Sequence, residues 1–255
     1  MRYCSDILAV SDMEVRKLRH DPTELLTRAI QPMLWLLVFG EVFARTRAIP
    51  TGDVGYLDFL APGILAQSVL FVAIFYGISV IWERDLGILH KFLVSPAPRT
   101  ALVLGKALSA GARALSQAVI VYALALILGV RMNWHAAPLA GVVLFVTLGA
   151  AVFSTFSLII ACIVKTRERF MGIGQVLTMP LFFASNAIYP TEIMPEWLKW
   201  IAHVNPLTYE VDGLRALMLA GGSSGLGLGL DVGVLGATLA LLVAVAGRMY
   251  PRIVV

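Results

Sequence analysis

The sequence predicts an all-α integral membrane protein: six transmembrane helices, an N-terminal interfacial amphipathic helix, and two short outer helices between spans five and six. Three observations carry that expectation. The 255 residues are 59% hydrophobic and 14% charged, with mean hydropathy +0.84, whereas soluble domains carry about 25% charged residues. Six apolar stretches recur between Leu25 and Gly247, each near the roughly 20 residues that carry a helix across the hydrocarbon core. The gaps between them divide Lys and Arg unequally, as the loops of a multi-pass protein do.

Taken in order, residues 1–24 hold Asp6, Asp12, Glu14, Arg16, Lys17, Arg19, Asp21 and Glu24. They lack an apolar core region, so no cleavable signal is expected. Ile7, Leu8, Val15 and Leu18 share a helical face, which suits a helix lying in the membrane interface or a solvated cap. Span one runs over about 25–44, with Pro32 near its start. Span two covers about 57–82 and leads into a charged segment, 83–106. Spans three, four and five cover about 107–130, 139–164 and 171–189. In 190–222, Pro195 and Pro206 sit where a first helical turn takes them and Asn205 is a good N-cap. Two short outer helices follow, over about 195–204 and 206–219, with Trp197, Trp200 and Tyr209 at headgroup depth. Span six covers about 228–247, and the whole chain, 1–255, forms one transmembrane domain.

Orientation comes from the cations. With the N-terminus inside, only Arg45, Arg47, Arg131, Lys199 and Arg215 of the 20 Lys and Arg fall outside. The positive-inside rule therefore places both termini in the cytosol. The net charge of +4 is explained by these topology signals and calls for no nucleic-acid partner.

Candidate chemistry is sparse. Glu83, Arg84, Asp85, His90, Lys91, Arg99 and Lys106 crowd the inner segment between two long spans. They suit a docking helix for a cytosolic partner, and equally a solvated turn. The middles of spans two, three, four and six hold no Asp, Glu, Lys, Arg or His, and proton-coupled carriers need such groups. Gln31, Gln67, Gln117, Gln175 and Asn186 read as interhelical hydrogen-bond formers. Glu41 and Asp231, toward the outer ends of spans one and six, are expected to reach headgroups or water. Gly229-x-x-x-Gly233 is a candidate for close helix packing, within the chain or between two copies. The four His and two Cys, Cys4 and Cys162, have no metal-ligand spacing, and no disulfide is expected between the two thiols. No phosphate loop, H-E-x-x-H or G-x-S-x-G occurs, so no catalytic residue is assigned.

Three segments resemble the ABC-2 type exporter permeases, most of all those of daunorubicin resistance and nodulation-factor export. They are YLDFLAPGILAQSVLF (56–71), ERDLGILHKFLVSPAPRTALVLGK (83–106) and NAIYPTEIMPEWLKWIAHVNPLTYEVDGLRALML (186–219). The second has Glu83, Arg84, Gly87, Leu93, Pro96, Arg99, Gly105 and Lys106 in the family's places. The third has Pro190, Pro195, Asn205, Pro206 and Arg215. Ile88 departs from the pattern, where a charge usually follows Gly87. The resemblance implies a permease subunit of the bacterial plasma (inner) membrane that exports an amphiphilic drug, lipid or lipid-linked molecule. It implies a second permease, the same or related, and two copies of a separate ATPase that binds ATP and magnesium, with no cofactor on this chain. Arg16, Lys17, Glu83, Arg84, Asp85, Gly87 and Lys91 would then couple to the ATPase, and Pro195, Trp197, Trp200, Asn205 and Pro206 would gate release. An ion-coupled carrier is the alternative reading. A lipid-modifying enzyme is disfavoured, because polar catalytic groups are not clustered.

Overall fold

The computed structural model describes residues 29–47, 49–52, 54–86, 99–164 and 166–250. Its regular elements are all helical. A helical run from 29 winds as a π-helix over Leu34–Gly40 and ends in α1 (Glu41–Thr46). Then follow α2 (Tyr56–Asp85), α3 (Arg99–Ile127), α4 (Ala136–Ile163), α5 (Arg167–Phe183), α6 (Glu196–Val204), α7 (Pro206–Met218) and α8 (Leu228–Met249). In hydrocarbon a single segment can satisfy its own backbone polar groups only as a helix, which is why apolar runs of this length adopt that form.

Among the described residues, four helices are long and apolar enough to cross a membrane: α2, α3 from Thr100, α4 and α8. They match expected spans two, three, four and six, except that α3 begins at Arg99, eight residues before the expected start and inside the expected inner segment. The start of expected span one and the interfacial helix at 1–24 lie outside the described residues. Expected span five changes its bounds: α5 begins four residues earlier, at Arg167, and stops at Phe183. Its 17 residues rise only about 25 Å. Beyond it, Ser185, Asn186, Ala187 and Ile188 leave the helix yet stay buried. Hydropathy registers their apolar surroundings and cannot tell helix from buried irregular chain.

α2 is the axis of the bundle. Leu60, Ile64, Leu65, Val69 and Ile74 are fully buried on several of its faces, and α3, α4, α5 and α7 all pack on it. Its 30 residues rise about 45 Å, roughly 15 Å more than the hydrocarbon thickness. The helices alternate in direction, which gives the bundle two ends. One end collects the turns 47–55, 128–135 and 219–227. The other, charged end collects Glu83, Lys106, Arg167 and Arg248.

Close approach is achieved with small residues. A Cβ on Gly77 of α2 would lie 2.1 Å from Ser157 Oγ of α4 and 2.7 Å from the Phe170 ring, and Ser157 Oγ donates to Ile74 O. The first helical run docks through rings: Trp35 meets Phe182 of α5 edge-on at 5.4 Å, Phe39 stacks on Phe43 at 4.2 Å, and Phe43 lies 6.0 Å from Tyr56. By contrast Gly229 and Gly233 of α8 are exposed, and a Cβ on either would meet nothing within 4 Å.

Gly77→Val is expected to destabilise the protomer by about 1–3 kcal/mol or more through overpacking, while Gly229→Ala and Gly233→Ala stay within about 0.5 kcal/mol. Thermal unfolding of the purified chain in nanodiscs checks both. A loss on Gly229→Ala matching that of Gly77→Val would contradict the open face.

Candidate functional site

The charged end forms first from the lengths of α2 and α3, whose overhang puts Glu83 and Lys106 side by side. Lys106 Nζ donates to Glu83 Oε2 at 2.6 Å, and both side chains are buried, 5% and 6% exposed. Around them, Tyr76 OH and Ser109 Oγ share a hydrogen bond at 3.0 Å, and the Lys106 and Arg113 cations stand 5.9 and 5.2 Å from the Tyr76 ring. A buried ion pair of this kind fixes the relative rotation of two helices more surely than it adds net stability.

A second charged group lies outside it. Asp85 accepts from Arg84 Nη2 at 3.0 Å and from Arg167 Nη2 at 2.9 Å, and the Arg167 guanidinium covers the Trp82 ring at 3.8 Å. This exposed group ties the end of α2 to the start of α5. The expected coupling residues therefore divide. Arg84 and Asp85 belong to the surface group, whereas Glu83 turns inward onto Lys106. Gly87, Lys91, Arg16 and Lys17 lie outside the described residues.

At the opposite end the outer helices take nearly their expected bounds, with Pro206 at N1 of α7 and Pro195 one place earlier than expected, as the N-cap of α6. Asn205 does more than cap. Its Oδ1 accepts from Leu207 N at 3.0 Å, while its Nδ2 donates to Leu181 O at 2.7 Å and Ala184 O at 2.9 Å. One buried amide thus joins the last carbonyls of α5 to the first turn of α7. Trp197 and Trp200 stand exposed, 65% and 74%, on α6. With Leu177, Leu181, Phe183 and Val204 they line an apolar groove of about 880 Å³ between α5 and α6.

α7 is not an interfacial helix. It lies against the interior of the bundle, antiparallel to α4. A Cβ on Gly213 would strike Phe145, one on Gly141 would strike Leu217, and one on Gly149 would come within 2.3 Å of the Glu210 carboxylate. Leu207, Val211, Leu214 and Met218 are fully buried. Its polar stripe, Asn205, Thr208, Asp212 and Arg215, faces the irregular chain. Arg215 Nη2 donates to Asn186 O at 2.8 Å and Phe59 O at 3.3 Å, with its guanidinium 3.8 Å from the Phe59 ring. Asp212 accepts from Ser224 Oγ, Gly225 N and Leu226 N.

Asp231 corrects an expectation: it is fully buried and shares the Ser224 hydroxyl with Asp212, because α7 covers the start of α8. Glu41 keeps a partly exposed side chain beside Arg45. The expected glutamine hydrogen bonds are not made by the amide nitrogens of Gln67 and Gln117, which are buried with no partner among the described residues. The most unexpected group is Glu210. It is fully buried, both its carboxylate oxygens lack a partner among the described residues, and it sits level with Gly149, midway along α4. Reading the spans alone missed it. The available signal was that Glu210 falls three residues after Leu207 and four before Leu214, on the apolar face of its helix.

A bundle of long apolar helices, interrupted by buried irregular chain and the buried short helix α7, defines a polytopic membrane protein. Residues 5–219 match the family described as ABC-2 type transporter, and the chain belongs to that family. It is 29% identical to transport permease ycf38 of Cyanophora paradoxa, over 79% of this chain and 70% of that one. It is 27% identical to the daunorubicin resistance ABC transporter permease protein DrrB1 of Streptomyces coeruleorubidus, over 92% and 81%. With the inner membrane transport permease YadH of Escherichia coli strain K12 it shares 24% identity over 73% of each.

Lys106→Met strands the Glu83 carboxylate and is expected to cost about 3–5 kcal/mol, whereas Glu83→Gln with Lys106→Met recovers most of that loss. Thermal unfolding of the two variants checks the pair; equal losses would contradict it.

Proposed function

We propose that this chain is the membrane-spanning permease of an ATP-driven exporter in the plasma (inner) membrane. It has six spans and both termini in the cytosol, and it is energised by a separate ATPase that binds ATP and magnesium. Two permeases, identical or related, and two ATPases would make the working unit. The cargo is an amphiphile: a drug, a lipid or a lipid-linked molecule. Family membership carries this reading, supported by the daunorubicin-resistance name of one relative and by the absence of a phosphate loop in this sequence.

The charged end is the proposed ATPase-facing side. Arg84, Asp85 and Arg167 offer exposed charge there, and the buried Glu83–Lys106 pair would pass a push on α2 to α3. The outer pair would gate release, with Asn205 as the pivot between α5 and α7. The apolar groove beside Trp197 and Trp200 suits an acyl chain or a lipid. Gly229 and Gly233 offer a smooth face for the second permease.

One observation favours the alternative, an ion-coupled carrier. Glu210 is a fully buried carboxyl at mid-bundle depth with no hydrogen-bond partner among the described residues, and ionisable groups at such depth mark ion and proton pathways. Cells carrying the chain with its ATPase distinguish the two. Export is expected to stop on ATP depletion, to survive an uncoupler, and to persist in Glu210→Gln; the reverse pattern would establish the carrier. Separately, Asp85→Arg is expected to cut co-purification of the ATPase by about tenfold, the loss given by roughly 1.4 kcal/mol of contact energy. Undiminished co-purification would remove Asp85 from the docking surface.

A further inference from the structure

The apolar groove of about 880 Å³ between α5 and α6 has a wall of uniform character. Leu177, Leu181 and Phe183 form one side, and Trp200, Ile201 and Val204 the other. Among the described residues, no charged side chain lines it. It runs beside the last turns of α5 and past the end of that helix, to Tyr189 and Asn205. The 17 residues of α5 rise about 25 Å, against roughly 30 Å of hydrocarbon. The groove thus starts where the helix gives out.

The end of α5 shows what surrounds it. A helix leaves its last four carbonyls without intrahelical partners, and water bonds them wherever it can reach. Ala184 N closes the final helical bond, to Pro180 O at 2.8 Å. The four carbonyls that follow all accept from protein side chains. Leu181 O and Ala184 O take Asn205 Nδ2 at 2.7 and 2.9 Å, Phe182 O takes Ser185 Oγ at 2.7 Å, and Phe183 O takes Tyr189 OH. Complete satisfaction of this kind is what backbone requires where its surroundings cannot hydrogen-bond. It also commits Asn205 and Tyr189, so neither asks for a polar occupant.

The wall still offers the indole N–H groups of Trp197 and Trp200, whose side chains stand out on α6. Indoles favour the boundary between hydrocarbon and head groups, and their N–H can only donate. A dry, uncharged trough with donors on one side matches a molecule that is hydrocarbon along its length and carries acceptors at one end. A phospholipid acyl chain with its ester carbonyl is such a molecule.

We propose that this groove holds an acyl chain of a bilayer phospholipid as a resident partner, seated between α5 and α6 with its ester group toward the indoles. The lipid is a component of the folded protomer and not the exported molecule. The inference therefore stands apart from ATP-driven export, because it requires only the folded chain in a membrane.

The test uses the full chain extracted in mild detergent and washed stepwise, with bound phospholipid counted per protomer by native mass spectrometry. Phospholipid is expected to stay with the protomer through washes that clear loosely held lipid. Trp200→Ala combined with Val204→Ala strips one side of the groove and is expected to lower the retained fraction about tenfold. Leu241→Ala on α8, at 66% exposure comparably open, is expected to leave it unchanged. Phosphatidylcholine and phosphatidylglycerol added back to stripped protein should rebind alike, since the chain and not the head group is held. Trp200 and Val204 are 74% and 82% exposed, so the variant should fold, as circular dichroism would show; Ile201→Ala gives the same measurement if it does not. No retained phospholipid, an equal loss in Leu241→Ala, or rebinding that demands one head group would overturn the proposal. So would lipid-free dimers that Trp200→Ala dissociates, which would assign the groove to a second copy.

Discussion

The constraint on which the structure depends is that backbone inside a bilayer has no water to bond. Residues 184–190 leave the helix while still packed against α2. A Cβ on Gly63 would touch Ala187 O at 2.2 Å, and Tyr56 OH donates to Ile188 O. Such chain is tolerated at membrane depth only where protein groups satisfy it. Three polar side chains of one stripe do so: Asn205 bonds the end of α5, Arg215 bonds the irregular strand of chain, and Asp212 bonds the turn before α8. Replace the stripe by leucines and the hydrophobic surface would improve while several peptide groups lost their partners.

The same stripe is one face of a helix that is otherwise buried. Its apolar residues, Leu207, Val211, Leu214 and Met218, face the core, and Gly149 and Gly213 let α7 lie close against α4. The link to α5 runs through the Asn205 hydrogen bonds rather than through continuous helix, while α7 packs broadly on α2, α4 and α8. At the far end, the Glu83–Lys106 pair and the Arg84–Asp85–Arg167 group join α2 to α3 and α5. α2 spans both ends.

Much of this was legible in the sequence. Hydropathy placed α2, α3, α4 and α8 within a few residues at most boundaries, because length and charge exclusion decide where a helix crosses. Proline and asparagine placed α6 and α7, since Pro206 and the Asn205 cap act locally. Side-chain direction was not legible. Glu83 and Asp85 are two residues apart on one helix, and only the position of Lys106 across the interface decides which one turns inward. Asp231 was expected to be wet for the same reason: a single-span view cannot see that α7 lies over it. The missing hydropathy of Glu210 as a warning sign came from treating its segment as surface.

The central proposal is that this chain, in whose sequence no phosphate loop occurs, is driven by a separate ATPase at its charged end. Transport of a fluorescent amphiphile by proteoliposomes tests it most directly. The chain alone, under proton or sodium gradients of either direction, is expected to move nothing, and transport is expected to begin when the co-purifying ATPase and Mg-ATP are supplied. Gradient-driven transport by the chain alone would contradict that claim.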